Sequence, residues 1–357
     1  MLEGTGMFRR EDLGGRPAGL WRYHEALGIP HPEICVSFGE GNTPLSTIRL
    51  YGRDISVKMD FLCPTGSYKD RGSTVMLSKL REWGLRQIIE DSSGNAGASI
   101  AAYSALAGIQ ADIYIPASTS AGKAAQINMY GARLIKVPGT REDTAHAAWQ
   151  ASSETFYASH NWSPYFLSGM KTVAYEIAEQ RNWSAPDWIV APSGGGSLVV
   201  GIYFGFRDML RAGLVDKMPR IVLVQAARCA PIHAAWRAGT ADVPAITKQD
   251  TAAEGISVAK PVRGREILAA VRETNGFVHV VSEDEIWEGL SALGGCGVYV
   301  EPTSAVVASA AKSLIDSGLI SSSESVVLTL TGNGLKATDK IVQHQAMDDA
   351  AQLAPVG

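Results

Sequence analysis

The chain reads as an α/β protein of two lobes, each a twisted parallel sheet covered by helices. Three observations predict this. Short apolar runs of strand length recur along the sequence: RQIIE, ADIYIP, ARLIKVP, DWIVAP, PRIVLVQ, FVHVV and SVVLTLTG. Runs of that kind mark strands buried on both faces. Helical stretches separate most of them, as parallel connections require. The length, 357 residues, exceeds what one hydrophobic core usually organises.

The alternation begins near residue 72. STVMLSKLREWG is helical and leads into strand RQIIE. The loop SSGNAG follows and opens the small-residue helix AGASIAAYSALAG. ADIYIP is a strand, AGKAAQINMYG a helix, ARLIKVP a strand and REDTAHAAWQASS a helix, and TFYAS closes the series. After about residue 168 the pattern resumes with helix GMKTVAYEIAEQRN, strand DWIVAP, loop SGGGS and helix LVVGIYFGFRDMLRAG. Strands PRIVLVQ, FVHVV and SVVLTLTG complete it. Residues 1–72 and 161–357 are expected to form the larger lobe, and 73–160 a smaller mobile lobe that interrupts it. The polar stretch near 239–252 and the tail after about 340 are the expected weak points.

Composition narrows the function. Hydrophobic residues make up 46% and charged residues 19%, which suits a well-packed globule. A net charge of -4 supplies no basic field for nucleic acid. Cys35, Cys63, Cys229 and Cys296 are far apart with no CxxC pair, against a zinc ribbon or a disulfide framework and in keeping with a reducing compartment. No apolar segment is long enough to span a bilayer, and MLEGTGMFRREDLGG has no apolar run of the signal-peptide kind. The expectation is a cytoplasmic enzyme acting on a small molecule.

In open parallel sheets, ligands sit beyond the carboxyl ends of strands. SSGNAG, SGGGS and TGNG each follow a predicted strand, and PTGSYKDRGS makes a fourth polar segment. In SGGGS, three glycines let backbone N–H groups approach an anion, and the helix that follows adds its dipole. A phosphate is the natural ligand. A dinucleotide is disfavoured, because GxGxxG is absent and the next strand ends in Gln225 and Ala226 rather than an acid. Asn95 offers a donor and an acceptor, and Thr331 offers a hydroxyl. Lys69, if desolvated, is an amine able to attack an aldehyde. A lysine imine, an anion cup and a ring-nitrogen partner together describe a pyridoxal phosphate site.

Taken in order, GLWRYHEALGIP with EGNTPL, PTGSYKDRG, SSGNAGAS, MYGARLIKV, SGMKTVAYEIAEQ, AEGISVAKPVRG, VEPTSA and LTGNGLK resemble the threonine synthases. These stand among the fold type II pyridoxal phosphate enzymes, with the serine and threonine dehydratases and cysteine synthases. The resemblance implies pyridoxal 5'-phosphate between the lobes, bound as an imine to Lys69, which then shuttles the proton. It implies that Asn95 bonds the ring 3-oxygen and that Thr331 faces the pyridine nitrogen. Gly194, Gly195, Gly196, Ser197 and Leu198 would surround the phosphate, and Ser92, Ser93, Gly94 and Lys171 would meet a small amino-acid substrate. A homodimer is implied as well. A neutral hydroxyl at the ring nitrogen makes a weaker electron sink than a carboxylate, favouring loss or exchange of a β-substituent.

The pattern departs from phosphohomoserine binding at three places. Ala96 stands where a threonine is common, Phe166 where a basic residue is common, and Asp91 precedes the serine loop. Threonine synthase is the named expectation. A dehydratase-type lyase or a β-replacement synthase with another leaving group is the alternative, and a non-catalytic ligand-binding protein the third.

Overall fold

The computed structural model describes residues 6–29 and 32–353. Its strands in chain order are β1 Leu45–Leu50, β2 Arg53–Met59, β3 Gln87–Glu90, β4 Gln110–Pro116, β5 Arg133–Val137, β6 Phe156–Tyr157, β7 Trp188–Pro192, β8 Arg220–Ala226, β9 Phe277–Val281 and β10 Val326–Leu330. They make two sheets, one ordered β1-β2-β10-β7-β8-β9 and the other β5-β4-β3-β6. Every predicted strand is present, and all of those are paired in parallel. β7 and β10 are buried at every residue, which is why they read as unbroken apolar runs.

The hairpin β1–β2 was not anticipated. It pairs antiparallel from Leu45↔Lys58 to Leu50↔Arg53 through a two-residue turn, Tyr51-Gly52, with φ of 51° and 75°. Left-handed geometry at both turn residues matches the twist of a hairpin. Tyr51 is an uncommon choice there, so the usual Asn-Gly or Asp-Gly signal is missing.

Helices cover both faces of the larger sheet. The helix Ser197–Arg211 packs in one core with Ile189, Ala191, Ile221 and Leu223. The helix Pro302–Asp316 packs through Ala305, Val306, Ala308 and Ala310 in a second core with Val190, Val222 and Leu328. The smaller sheet has its own core, which draws Phe166 and Met170 from the helix Pro164–Met170 as well as Met76, Leu77 and Leu80. The helix expected over GMKTVAYEIAEQRN is two helices, Pro164–Met170 and Thr172–Gln180, meeting at Lys171. Residues 239–252 carry no helix or strand. The tail is more ordered than expected, since a helix runs from Thr338 to Leu353.

Candidate active site

Lys69 caps the helix Asp70–Glu82, and its two charged neighbours are committed elsewhere. Asp70 accepts from the N–H of Thr65 (2.7 Å) and the hydroxyls of Thr65 (2.5 Å) and Ser99 (2.6 Å). Arg71 is fully buried and bidentate to Asp60 and to Glu176, at 2.6–2.9 Å. The turn before Lys69 is bonded to the end of β10, Tyr68 N–H to the Thr331 carbonyl at 2.9 Å. So the backbone around Lys69 is clamped on three sides, while its half-buried ammonium makes no hydrogen bond or ion pair among the described residues. It lies 4.8 Å over the Tyr68 ring and 5.8 Å over Phe166.

The glycine loop lies between β7 and the helix Ser197–Arg211. None of the N–H groups from Gly194 to Val199 has an acceptor among the described residues, and the first helical bond there is Val200 to Gly196. The Ser193 hydroxyl is buried and unpartnered beside them. Each glycine is required for its own reason. A Cβ on Gly194 would meet Ile256 and Val258 at 2.9 Å, and one on Gly195 would meet Asn161 Oδ1 at 2.5 Å. Gly196 has φ +89° and faces Ile267. Six unpaired amides at a helix N-terminus make an anion cradle.

The third group stands on β10 and the helix Pro302–Asp316. Ser304 Oγ accepts from the N–H of Thr331 (2.9 Å) and of Gly332 (2.8 Å), which fills its two lone pairs. Its own proton then goes to Thr331 Oγ1 at 2.8 Å or to the Gly332 carbonyl at 3.3 Å. The Thr331 hydroxyl is left as a donor, the form that suits an unprotonated ring nitrogen. Asn95 opens the helix Asn95–Ala107 and donates to both oxygens of Glu301, at 3.2 and 3.1 Å. Glu301 is bonded in turn to the TGNG loop, its N–H to the Gly332 carbonyl at 3.0 Å.

Comparison with known proteins bears on this arrangement. The family described as pyridoxal-phosphate dependent enzyme matches residues 36–332. The chain belongs to that family. It is 36% identical over 344 residues to a threonine synthase of Synechocystis, covering 93% of this chain and 87% of that one. A threonine synthase of Methanocaldococcus jannaschii is 34% identical over 341 residues, covering 93% and 84%. Among solved structures, maize serine racemase superposes with a TM-score of 0.73 at 23% identity, over 86% of this chain and 94% of that one. Threonine deaminase isoform 2 of Solanum lycopersicum gives 0.75 at 20%, over 92% and 90%. These two share the fold.

The enzyme's cofactor is therefore pyridoxal 5'-phosphate, and the residues present fit it. The amide cradle and the orphaned Ser193 hydroxyl suit the phosphate, and the donor at Thr331 suits the ring. The Leu198 side chain is in the core, so only its N–H is available to the cradle.

At the loop after β3, the N–H groups of Ser92, Ser93, Asn95, Ala96 and Gly97 also lack acceptors among the described residues, while that of Gly94 meets Ser92 Oγ at 3.3 Å. This second helix N-terminus suits a carboxylate. Asp91 does not face it as a bare charge, since Arg141 pairs with it at 2.6 Å. Burial alone would raise its carboxyl, but Arg141 and His160 outweigh that and lower it. Glu90, fully buried, is tied to His160 Nδ1 at 2.6 Å.

Phe166 is fully buried as an apolar floor beside Lys69 and Gly72. Lys171 is not brought to the site: its buried ammonium donates to the Ala26 carbonyl (2.6 Å) and pairs with Asp208 (3.2 Å). Its expected contact with substrate is corrected to a structural tie between the N-terminal segment and the helix Ser197–Arg211.

Sequence reasoning missed Glu301 and Ser304. Burial raises the Glu301 carboxyl, and Asn95, Lys336 and Lys69 act against that rise. Both residues lie in VEPTSA, a segment noted for resemblance without a role. The available signal was an acid placed just before a proline at the start of an apolar helix.

Proposed function

We propose that the enzyme is a threonine synthase, converting O-phospho-L-homoserine and water to L-threonine and phosphate, with Lys69 carrying the cofactor. The observation that carries the reading is a pair of helix N-termini, Gly194–Val199 and Ser92–Gly97, where every N–H but that of Gly94 lacks an acceptor among the described residues, in a chain whose Lys69 amine makes no ion pair. The named threonine synthases, similar over most of the chain, support the substrate.

Bound pyridoxal phosphate supplies the electron sink. Lys69 moves the proton, and Thr331 donates to the ring nitrogen without charging it. Asn95 orients the ring oxygen, and Ser92, Ser93 and Gly94 hold the substrate carboxylate. The C–O bond to phosphate breaks at Cγ, Cγ takes up a proton in place of the one lost from Cβ, and the hydroxyl of water adds at Cβ while its proton goes to the leaving phosphate. The smaller lobe, residues 73–160, closes over these steps and keeps water from the intermediates. A homodimer in the cytoplasm accompanies this reading, to be checked by light scattering.

A dehydratase reading is favoured by one observation: Phe166 supplies no cation for a second phosphate, and Arg141 is already paired with Asp91. Purified enzyme should release phosphate from O-phospho-L-homoserine and form threonine, and Lys69→Ala should lose the visible cofactor band and all turnover. Keto acid and ammonia from L-threonine or L-serine, without phosphate release, would establish the dehydratase instead.

A further inference from the structure

Lys336 stands two residues past the TGNG loop, and no step above uses it. Its ammonium donates to the Thr65 carbonyl at 2.9 Å and to Gln126 Oε1. Gln126 Nε2 donates to the same Thr65 carbonyl at 3.0 Å. Thr65 is the residue whose N–H and hydroxyl hold Asp70, next to Lys69. The Lys336 stem lies along Gly66, where φ is +83° and a Cβ would meet Lys336 Cδ at 3.2 Å. Gln126 comes from the helix Ala121–Met129, which connects β4 to β5 in the smaller sheet. One carbonyl therefore joins three elements: the Lys69 turn, the segment after β10 and a helix of the other sheet. Burial lowers the Lys336 ammonium, while the charges of Glu301 and Asp70 act against that.

We propose that Lys336 is a positioning residue: with Gln126 it latches the smaller sheet's helix onto the Thr65–Lys69 turn, so that the amine is set for the cofactor only when the two sheets are docked. A lysine suits this task because a charged donor on a long stem can satisfy two acceptors from different elements at once. Its charge also balances the buried Glu301. The proposal rests on Lys69 as the cofactor's attachment point, and the experiment separates the two.

Wild type loaded with pyridoxal phosphate is reduced with borohydride and the modified peptide mapped. Label on Lys69 upholds the attachment, whereas label on Lys336 overturns the latch and the attachment together. Cofactor affinity and hydrogen exchange of residues 63–70 are then measured for Lys336→Met, Gln126→Leu and the double variant. Each single change should weaken affinity about tenfold, the worth of one hydrogen bond to a charged group. Exchange in the turn should speed up, and the double variant should be no worse than either single, as for residues acting as one unit.

The visible band of the bound cofactor should titrate at higher pH in Lys336→Met, where a neighbouring cation is gone, and be unmoved in Gln126→Leu. Additive losses, or affinities and exchange within twofold of wild type for both singles, would overturn the latch. Gln126→Leu removes one neutral, half-buried amide, so it keeps the test decisive should Lys336→Met fold poorly.

Discussion

At the scale of single residues, hydroxyl and carboxylate accounting decides what the site presents. Ser304 accepts two backbone N–H groups and stands 2.8 Å from the Thr331 hydroxyl, so the orientation of that hydroxyl is set by a neighbour. Ser304→Ala leaves both N–H groups buried without an acceptor, a loss of about 1–3 kcal/mol. Urea unfolding should read that loss, and cofactor titration should show weaker binding with Lys69 intact. A variant of wild-type stability would mean that water or another group takes over the role.

Gly196 makes the second case. Its φ of +89° costs an L-residue about 1–2 kcal/mol, and the added methyl also strikes Ile267. Gly196→Ala should therefore lose cofactor on dialysis under conditions where wild type keeps it, as followed by the visible band.

At the scale of elements, buried charge holds together what strand order brings near. Lys58 of β2, Asp60 just beyond it, Arg71 of the Lys69 helix and Glu176 of the helix Thr172–Gln180 form a neutral buried set, with Lys58 2.7 Å from Glu176. Burial alone would raise the Glu176 carboxyl, but Arg71 and Lys58 prevail and bring it to about 2. Its ordinary value of 4.5 lies above the folded one. The stability it contributes is thus fully present above pH 4.5 and lost as pH falls through about 2. Glu176→Gln should cost roughly 3–5 kcal/mol, because it leaves Lys58 buried with no carboxylate partner and Arg71 with Asp60 alone. The variant's melting temperature should also be flatter than wild type between pH 4.5 and 2. Parallel curves would remove Glu176 from the acid transition.

The same set explains which features were legible in the sequence. Parallel strands announce themselves as apolar runs, and Gly-rich turns stand out by composition. A charge such as Arg71 looks like any surface residue until β2, β10 and two helices bring its partners together from positions 60 and 176. Glu301 and Ser304 were hidden in the same way, for their partners Asn95 and Thr331 come from other elements. Lys171 misled for the converse reason: its place in a family-like segment carried no information about Ala26 and Asp208.

At the scale of the whole molecule, the proposed chemistry needs the two sheets to part for substrate and to dock for reaction. The helix Ala121–Met129 of the smaller sheet lies against the segment after β10, where a Cβ on Gly122 would stand 3.5 Å from Asp339 Oδ2. The Asp339 side chain thus reaches residue 122, which makes Gly122→Cys and Asp339→Cys the pair to cross-link across the two sheets, with a free-thiol count to show that the bridge has formed. The chain's own cysteines are buried or half-buried and far apart in sequence, which leaves the new pair as the exposed one. Oxidation should hold the sheets docked: substrate exchange and turnover should stop, while the cofactor band persists. Reduction should restore both. Full turnover in the oxidised protein would show that substrate enters without separation of the sheets, and closure of residues 73–160 would then have no part in excluding water.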